Sequence, residues 1–156
     1  MSYQHLLVAV DGGENCTALI AKAQTLAAGF NARLSVLSVL PPLPIGAIAT
    51  DAGMGMPMVS SIGMESTWSK EVHEDTRKSL SALCTPLGIQ DQDIHLVSNH
   101  IDSGILDAAK QLHADLIVVG HHPRSGWFST LLSHTDQSVV GKATCDVLAV
   151  VLERER

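Results

Sequence analysis

Five short aliphatic runs constrain the fold of this chain more than any other feature. Four of them are apolar almost throughout, which is typical of strands buried on both faces of a parallel sheet. The remaining run, the third along the chain, alternates between apolar and polar residues, as a strand near a sheet edge does. The runs are His5–Val10, Leu34–Leu40, Asp93–Ser98, Asp115–Gly120 and Asp146–Leu152.

Stretches with helical spacing of apolar residues separate these runs. We expect helices over about Asn15–Ala28 and from caps at Ser66, at Asp102 or Ser103, and at Ser129 or Thr130. The residues predicted to face inward are Leu19, Ala23, Leu26, Ala27 and Phe30 on the first helix, Val72, Leu80, Leu83, Cys84 and Leu87 on the second, Ile101, Ile105, Leu106, Ala109 and Leu112 on the third, and Leu132, Thr135, Val139 and Val140 on the fourth.

Strands that alternate with helices predict a parallel sheet with right-handed crossovers and helices on both faces. The fold class is therefore α/β, a doubly wound sandwich. A length of 156 residues fits one domain. We expect that domain to cover residues 1–152 and to be followed by a solvated tail over 153–156.

Composition excludes several classes of function. Aromatic residues make up only 3% of the chain, so no aromatic platform for single-stranded nucleic acid can be built. The formal net charge is −6, which repels a phosphate backbone, so no nucleic-acid partner is expected. The first apolar run is too short for a signal peptide or a membrane span, and no basic leader precedes it. We expect no membrane association.

The three cysteines, Cys16, Cys84 and Cys145, are odd in number, far apart in sequence and without C-x-x-C spacing. Each lies in an apolar stretch. They are interpreted as buried, reduced thiols in a reducing compartment. Together with the lack of a leader, this predicts a cytoplasmic protein.

An irregular stretch follows the second strand, over about residues 41–64. It contains four of the six prolines, four glycines and four of the five methionines. We expect a long loop here. Loops of this length are uncommon inside compact domains and are often functional. A lid, a surface for a partner and a tolerated insertion all remain open.

The motifs of common α/β enzymes are absent from the sequence. No G-x-G-x-x-G follows the first strand, and no G-x-S-x-G occurs. Gly141-Lys142-Ala143-Thr144 resembles part of a phosphate loop, but Asp136 stands where its first glycine would be, and the segment leads from a helix into a strand. With no placed nucleophile and base, we expect no catalytic residue and no enzyme.

In an open parallel sheet, ligands bind at the carboxyl ends of the strands. Asp11 follows the first strand directly, where its carboxylate can accept hydrogen bonds from a ribose or a base, or can satisfy the amides of a turn. His121 and His122 resemble metal ligands, but adjacent side chains diverge and only His134 can join them. We therefore expect no metal site.

Several segments of the chain together point to one known family. They are Leu7–Asp11, Ile105–Ala109, Ala114–Gly120, the stretch from Gly120-His121-His122-Pro123 to Ser133-His134, and the aliphatic last strand. Through them the chain resembles the universal stress protein family over nearly its whole length. The resemblance implies a five-stranded parallel sheet in the order 3-2-1-4-5, a cytoplasmic homodimer, and a role in stress resistance through protein contacts, with a partner that the sequence does not identify.

The family's ATP signature, G-x-x-G-x9-G-[ST], is largely lost in this chain. In the same frame stand Gly120, Pro123, Ser133 and His134, so only the first position agrees. Proline removes an amide donor, and serine adds a side chain where glycine allows close approach. The Gly-His-His sequence and the Trp-containing loop after it resemble the founding-type subgroup, which lacks the motif. This implies weak or no ATP binding and no resident cofactor.

Nucleotide binding nevertheless stays open as an alternative. Asp11, Val39 and Gly120 match positions that contact the adenosine part in ATP-binding family members, so the resemblance also allows ATP or AMP with slow or no hydrolysis. The last strand supports a further expectation. Its aliphatic edge, Val147–Leu152, would leave backbone groups unpaired, and pairing with a second copy removes that hazard. A homodimer joined through this strand is predicted.

Overall fold

Five parallel strands form one sheet in the order β3-β2-β1-β4-β5, which confirms the predicted topology. The computed structural model describes residues 2–12, 15–41, 61–121 and 139–152, with the side chains of residues 61–69 outside that description. The strands are β1 His5–Val10, β2 Arg33–Leu40, β3 Ile94–Ser98, β4 Leu116–His121 and β5 Asp146–Val151.

Helices cover both faces of this sheet, as expected. They are α1 Cys16–Phe30, α2 Ser61–Cys84 and α3 Ile101–Gln111. Two short 3-10 turns, Thr85–Leu87 and Asp91–Asp93, connect α2 to β3. Residues 139–142 are also helical. None of the helices in the described ranges is long and apolar enough to cross a membrane.

The core has two layers because side chains alternate between the faces of each strand. Leu6, Val8 and Val10 of β1 pack with α1 and α2, and the layer extends to Val36 and Val118 of the neighbouring strands. On the other face, Leu7 and Ala9 pack with Leu37, Ile117 and α3. Every residue of β1 is buried. The continuous apolar pattern of this run is explained by its place at the centre of the sheet.

Polar groups at the amino ends of the strands bond to one another. The Asp115 carboxylate accepts hydrogen bonds from the backbone amides of Gln4 and His5, at 2.7 and 3.0 Å. The His5 ring lies between the Leu112 carbonyl, 2.9 Å from Nδ1, and the Ser35 hydroxyl, 2.8 Å from Nε2. Since a carbonyl only accepts, Nδ1 carries the proton. These bonds tie β1, β2 and the end of α3 together.

The first helix extends two residues beyond its predicted end. Asn31 caps it in the left-handed conformation, with φ 53°, so Gly29 lies inside the helix instead of ending it. Phe30 was predicted to face inward, and this is wrong: it is 38% exposed and makes an edge-to-face contact with Tyr3. The prediction failed because the apolar repeat of α1 continues past Ala27, the last residue of the helix that is buried.

The second helix begins at Ser61, five positions before the predicted cap at Ser66. Residues 61–64 are therefore helical and not part of the predicted loop. Gly63 lies inside this helix, where one glycine costs about 1 kcal/mol, which a long helix tolerates. Val72 is 38% exposed, not inward-facing, whereas Leu80 and Cys84 are buried as predicted. Residues 42–60 of the predicted loop lie outside the described residues.

The third helix begins at Ile101, before either predicted cap. His100 occupies the cap position in an extended conformation, and its carbonyl accepts the first hydrogen bond of the helix, from the amide of Gly104 at 2.7 Å. The Asp102 side chain accepts from the next amide along the chain, that of Ser103. The start of the predicted fourth helix and the tail over 153–156 lie outside the described residues.

Candidate functional site

A sharp turn follows β1 at the carboxyl edge of the sheet. Val10 is buried, and the next two residues, Asp11 and Gly12, are exposed. Gly12 has φ +83°, in the left-handed region that other residues adopt only at a cost. The Asp11 carboxylate therefore lies at the strand end where the sequence predicted a ligand, and α1 begins at Cys16.

The thiol of Cys16 contacts this turn from the first position of α1. Its Sγ lies 3.3 Å from Oδ1 of Asp11 and 3.2 Å from the backbone nitrogen of Gly12. The thiol donates to the carboxylate and its sulfur accepts from the amide. Burial, followed by the negative charge of Asp11, raises the pKa of the Cys16 thiol to about 11. The group therefore stays protonated at neutral pH and is a weak nucleophile.

The end of β4 is packed too tightly for a side chain. A Cβ on Gly120 would lie 2.7 Å from Cδ1 of Leu152 and 3.2 Å from Cδ2 of Leu19. Glycine at this position therefore lets the end of β4 fit between α1 and the residue that follows β5. The sequence singled out Gly120 for close approach to a ligand, but its packing role is independent of one.

At the end of β2, Val39 lies against the first turn of α3. A Cβ on Gly104 would be 2.7 Å from Cγ1 of Val39, so glycine allows this helix to approach the sheet. The sequence interpretation did not single out Gly104. An isolated glycine within a strong helical pattern was the available signal, since such a residue usually has a packing reason.

Three of the predicted site residues lie together at the carboxyl edge. Val10 pairs with Ser38 and Ala9 pairs with Val119, so Asp11, Val39 and Gly120 follow at the ends of adjacent strands. Neighbouring strands are about 4.8 Å apart, which is within the span of one small ligand. The other three predicted residues, Pro123, Ser133 and His134, lie outside the described residues.

His121, the last residue of β4, has a buried polar atom, Nδ1, without a hydrogen-bond partner among the described residues. In the described part of the chain, no three His, Cys, Asp or Glu side chains converge to hold a metal ion. His122 and His134 lie outside that part, so the expectation of no metal site stays a prediction.

The described residues at this edge supply hydrogen-bond acceptors. Asp11 offers a carboxylate that accepts hydrogen bonds from hydroxyl or amino groups. A general base or nucleophile with a shifted pKa would indicate catalysis. Among the described residues the clearest shift at this edge is that of Cys16, and it disfavours the reactive thiolate.

The outer strand of the sheet forms a second exposed feature. β5 pairs with β4 along its whole length, and β4 is its one partner within the described sheet. Leu148, Ala149 and Val151 are exposed, Val151 at 55% and Leu148 at 36%. Leu152 then turns inward, where its amide donates to the His121 carbonyl at 2.9 Å. Within the described residues, an apolar strand is thus anchored at one end and pairs with a neighbouring strand on one side only.

Comparison with protein families gives a match over almost the entire chain. The model of the universal stress protein family matches residues 2–151. A universal stress protein A homologue from Coxiella burnetii is 31% identical over 150 residues, which cover 96% of this chain and 97% of the relative. Universal stress protein A of Escherichia coli is 29% identical over 155 residues, 99% of each chain.

Solved structures show the same fold. A universal stress protein from Lactobacillus plantarum has a TM-score of 0.63 and 20% identity, and the match covers 96% of this chain and 99% of that one. A second universal stress protein, solved in complex with cAMP, has a TM-score of 0.58 and 24% identity, with coverage of 96% and 98%.

Proposed function

The chain belongs to the universal stress protein family, and from that premise we propose that it acts in the cytoplasmic stress response as a homodimer that works through protein contacts and not through catalysis. The observation that carries this proposal is the exposed apolar edge of β5.

An unpaired apolar edge is a hazard that proteins usually cover or charge. Here Leu148, Ala149 and Val151 are exposed along the strand, and the charged residue of β5 is Asp146 at its start. A second copy of the same strand is a suitable cover. Two identical edges related by a twofold axis meet antiparallel, so each strand supplies both the donors and the acceptors that the other needs.

Sedimentation velocity of the Val151→Lys variant tests this proposal. Since Val151 is 55% exposed, a lysine there is tolerated in the folded monomer but leaves a charge in the paired edge. Val72→Lys, at an exposed valine on α2, is the matched control. We expect the natural chain and the control to sediment as dimers and Val151→Lys as a monomer, each folded by circular dichroism. A folded Val151→Lys dimer, or a monomeric natural chain at micromolar concentration, would contradict the proposal.

A second candidate function is the binding of the adenosine part of a nucleotide such as AMP or ATP. The observation that favours it is the exposed Asp11 carboxylate, which lies beside the ends of β2 and β4 at Val39 and Gly120. The family neighbour in complex with cAMP supports it, because that ligand also contains adenosine. This candidate requires no reaction, and it is compatible with the dimer.

Affinity for a triphosphate is proposed to be weak or absent. Pro123, Ser133 and His134 replace the glycines and the hydroxyl residue of the ATP signature. Proline cannot donate an amide hydrogen bond to a phosphate, and serine hinders close approach of the backbone. The adenosine contacts and the phosphate contacts are therefore separable in this chain.

Calorimetric titration with AMP and with Mg-ATP tests the second candidate. We expect measurable AMP binding, little gain in affinity from the two additional phosphates, and loss of binding in Asp11→Ala. Mass spectrometry of small molecules released from freshly purified protein gives an independent reading. A Mg-ATP affinity far above that of AMP would show that the altered signature still holds phosphates, and absence of any binding would remove this candidate.

A further inference from the structure

In the hydrogen bond between Cys16 and Asp11, the donor and the acceptor can be assigned. A carboxylate only accepts hydrogen bonds, so the Cys16 thiol must be the donor across the 3.3 Å separation of Sγ and Oδ1. The sulfur in turn accepts from the Gly12 amide. One buried side chain, 3% exposed, thereby bonds both to the exposed carboxylate and to the left-handed turn that follows it.

Protonation of the thiol makes this contact persistent. Burial disfavours a thiolate at Cys16, and the Asp11 carboxylate would repel it, which is why the pKa of Cys16 is raised to about 11. The donor is therefore present throughout the physiological pH range. Packing also fixes the position of Cys16, because it lies in the same core layer as Leu19 and Ile20 of α1.

We propose that Cys16 is a positioning residue for ligand binding: its thiol holds the Asp11 carboxylate in the orientation that accepts the hydroxyl groups of an adenosine ribose. This inference rests on the second candidate function. A carboxylate that is already fixed loses less side-chain freedom when a ligand binds, so the contact increases affinity without touching the ligand. Since a carboxylate has about four acceptor positions, Oδ1 can keep the thiol while the group accepts from a ligand.

The first arm of the test is calorimetric titration with AMP. Cys16→Ala removes the donor, and we expect it to weaken AMP binding by about three- to tenfold, the usual effect of one hydrogen bond. Cys16→Ser keeps a donor and should bind within about twofold of the natural chain. Thr17→Ala, at the exposed neighbouring position, is the matched control and should bind as the natural chain does.

A double-mutant cycle separates positioning from a merely structural role. If Cys16 acts through the carboxylate, Cys16→Ala should weaken AMP binding in the natural background and have no additional effect in Asp11→Asn. An equal loss in both backgrounds would overturn the inference, because the thiol would then act on the fold in general. Circular dichroism and thermal melting verify that each variant is folded.

The second arm needs no nucleotide. In protein labelled with 13C at the cysteine Cβ, each thiol titrates separately, so the Cys16 value is read in the intact chain. Asp11→Asn removes the nearby negative charge and should lower the pKa of Cys16 from about 11, while Cys84 and Cys145 titrate as before. An unchanged Cys16 titration would overturn the inference even if AMP binds.

The two arms distinguish the inference from the function on which it rests. A natural chain that shows the Cys16 coupling but binds no AMP would refute the nucleotide-binding candidate, and the ligand role of the contact with it. Binding of AMP that is insensitive to Cys16→Ala would refute the inference alone. Weakened binding in Cys16→Ala, recovery in Cys16→Ser and a lowered Cys16 pKa in Asp11→Asn together would support both.

Discussion

The two edge strands of the sheet, β3 and β5, differ in how many of their residues are exposed to solvent. In β3, Ser98 is the one exposed residue, and it is polar. The helix α2 packs against this strand, and His73 on α2 bonds to the Ser98 hydroxyl at 2.6 Å. In β5, four of six residues are exposed, and three of the four are apolar.

The difference in exposure between the two strands indicates which of them pairs with another chain. An edge that the monomer already shields gains little from pairing, whereas an open apolar edge gains both hydrogen bonds and buried area. The ion pair between Arg33 and Asp93 adds charge at the start of β3. The comparison therefore favours β5 over β3 as the dimer strand.

The largest expected effect comes from the anchor of β5. Leu152 is buried against Gly120, and truncation to alanine leaves a cavity that costs about 3 kcal/mol of the free energy of unfolding. Because the anchor holds the end of the strand, dimer affinity should decrease as well. Urea unfolding and sedimentation measure the two effects. Stability within about 1 kcal/mol of the natural chain would show that Leu152 is not an anchor.

A smaller effect is expected from the other side of the same contact. Gly120→Ala places a methyl group 2.7 Å from Cδ1 of Leu152, and we expect a loss of about 1 to 2 kcal/mol. Shortening Leu152 should relieve this clash, so the double variant Gly120→Ala, Leu152→Ala should be more stable than the sum of the single losses predicts. If urea unfolding shows that the two losses of stability simply add, the contact between Gly120 and Leu152 is not the source of the strain.

The β3 edge should respond to acid in a way that β5 does not. Burial lowers the pKa of His95 on β3; the negative charge of Asp93 opposes this, and the positive charges of Arg33 and Arg77 lower the pKa further. Nε2 of His95 is buried without a hydrogen-bond partner among the described residues. Protonation therefore adds an unfavourable charge to this edge.

The sign of the pH dependence follows from that direction. Below the ordinary histidine pKa of about 6.5, the unfolded chain binds more protons at His95 than the folded chain does. Stability from this residue is thus fully present above that pH and declines as pH falls toward the folded pKa. His95→Gln should flatten the decline in urea unfolding, and His100→Gln, at an exposed histidine, should not. Equal slopes in the two variants would contradict this assignment.

The smallest effect belongs to the charge at the start of β3. Arg33 and Asp93 lie 2.8 Å apart, but the arginine side chain is 58% exposed, so the pair is screened by solvent. Arg33→Ala should cost about 0.5 kcal/mol and leave the dimer intact. A shift of the species toward higher oligomers in sedimentation would indicate that this charge keeps the β3 edge from pairing.

The sequence predicted the sheet well because each of its strands coincides with a short aliphatic run. All five aliphatic runs are strands, and the order 3-2-1-4-5, implied by the family resemblance, is confirmed. Helix ends were predicted less well. The end at Phe30 depends on the cap at Asn31, and periodicity of apolar residues carries little information about caps.

The candidate site was only partly predictable. Asp11 was predicted from its place after the first strand, Val39 and Gly120 were predicted from the family resemblance, and the strand register brings the three together. The contacts of Cys16 with Asp11 and Gly12 could not be foreseen, because they depend on the left-handed turn. Nor could the packing of Leu152 on Gly120, since it joins residues far apart in sequence.

Hydrogen exchange at the backbone amides of β5 tests the proposed dimer most directly. If β5 pairs with its copy, the amides over 146–151 that do not bond to β4 should exchange slowly at micromolar concentration, and fast on dilution or in Val151→Lys. The outward amides of β3 should exchange at the same rate in all three conditions. Fast exchange along the open side of β5 in the concentrated natural protein would contradict the account.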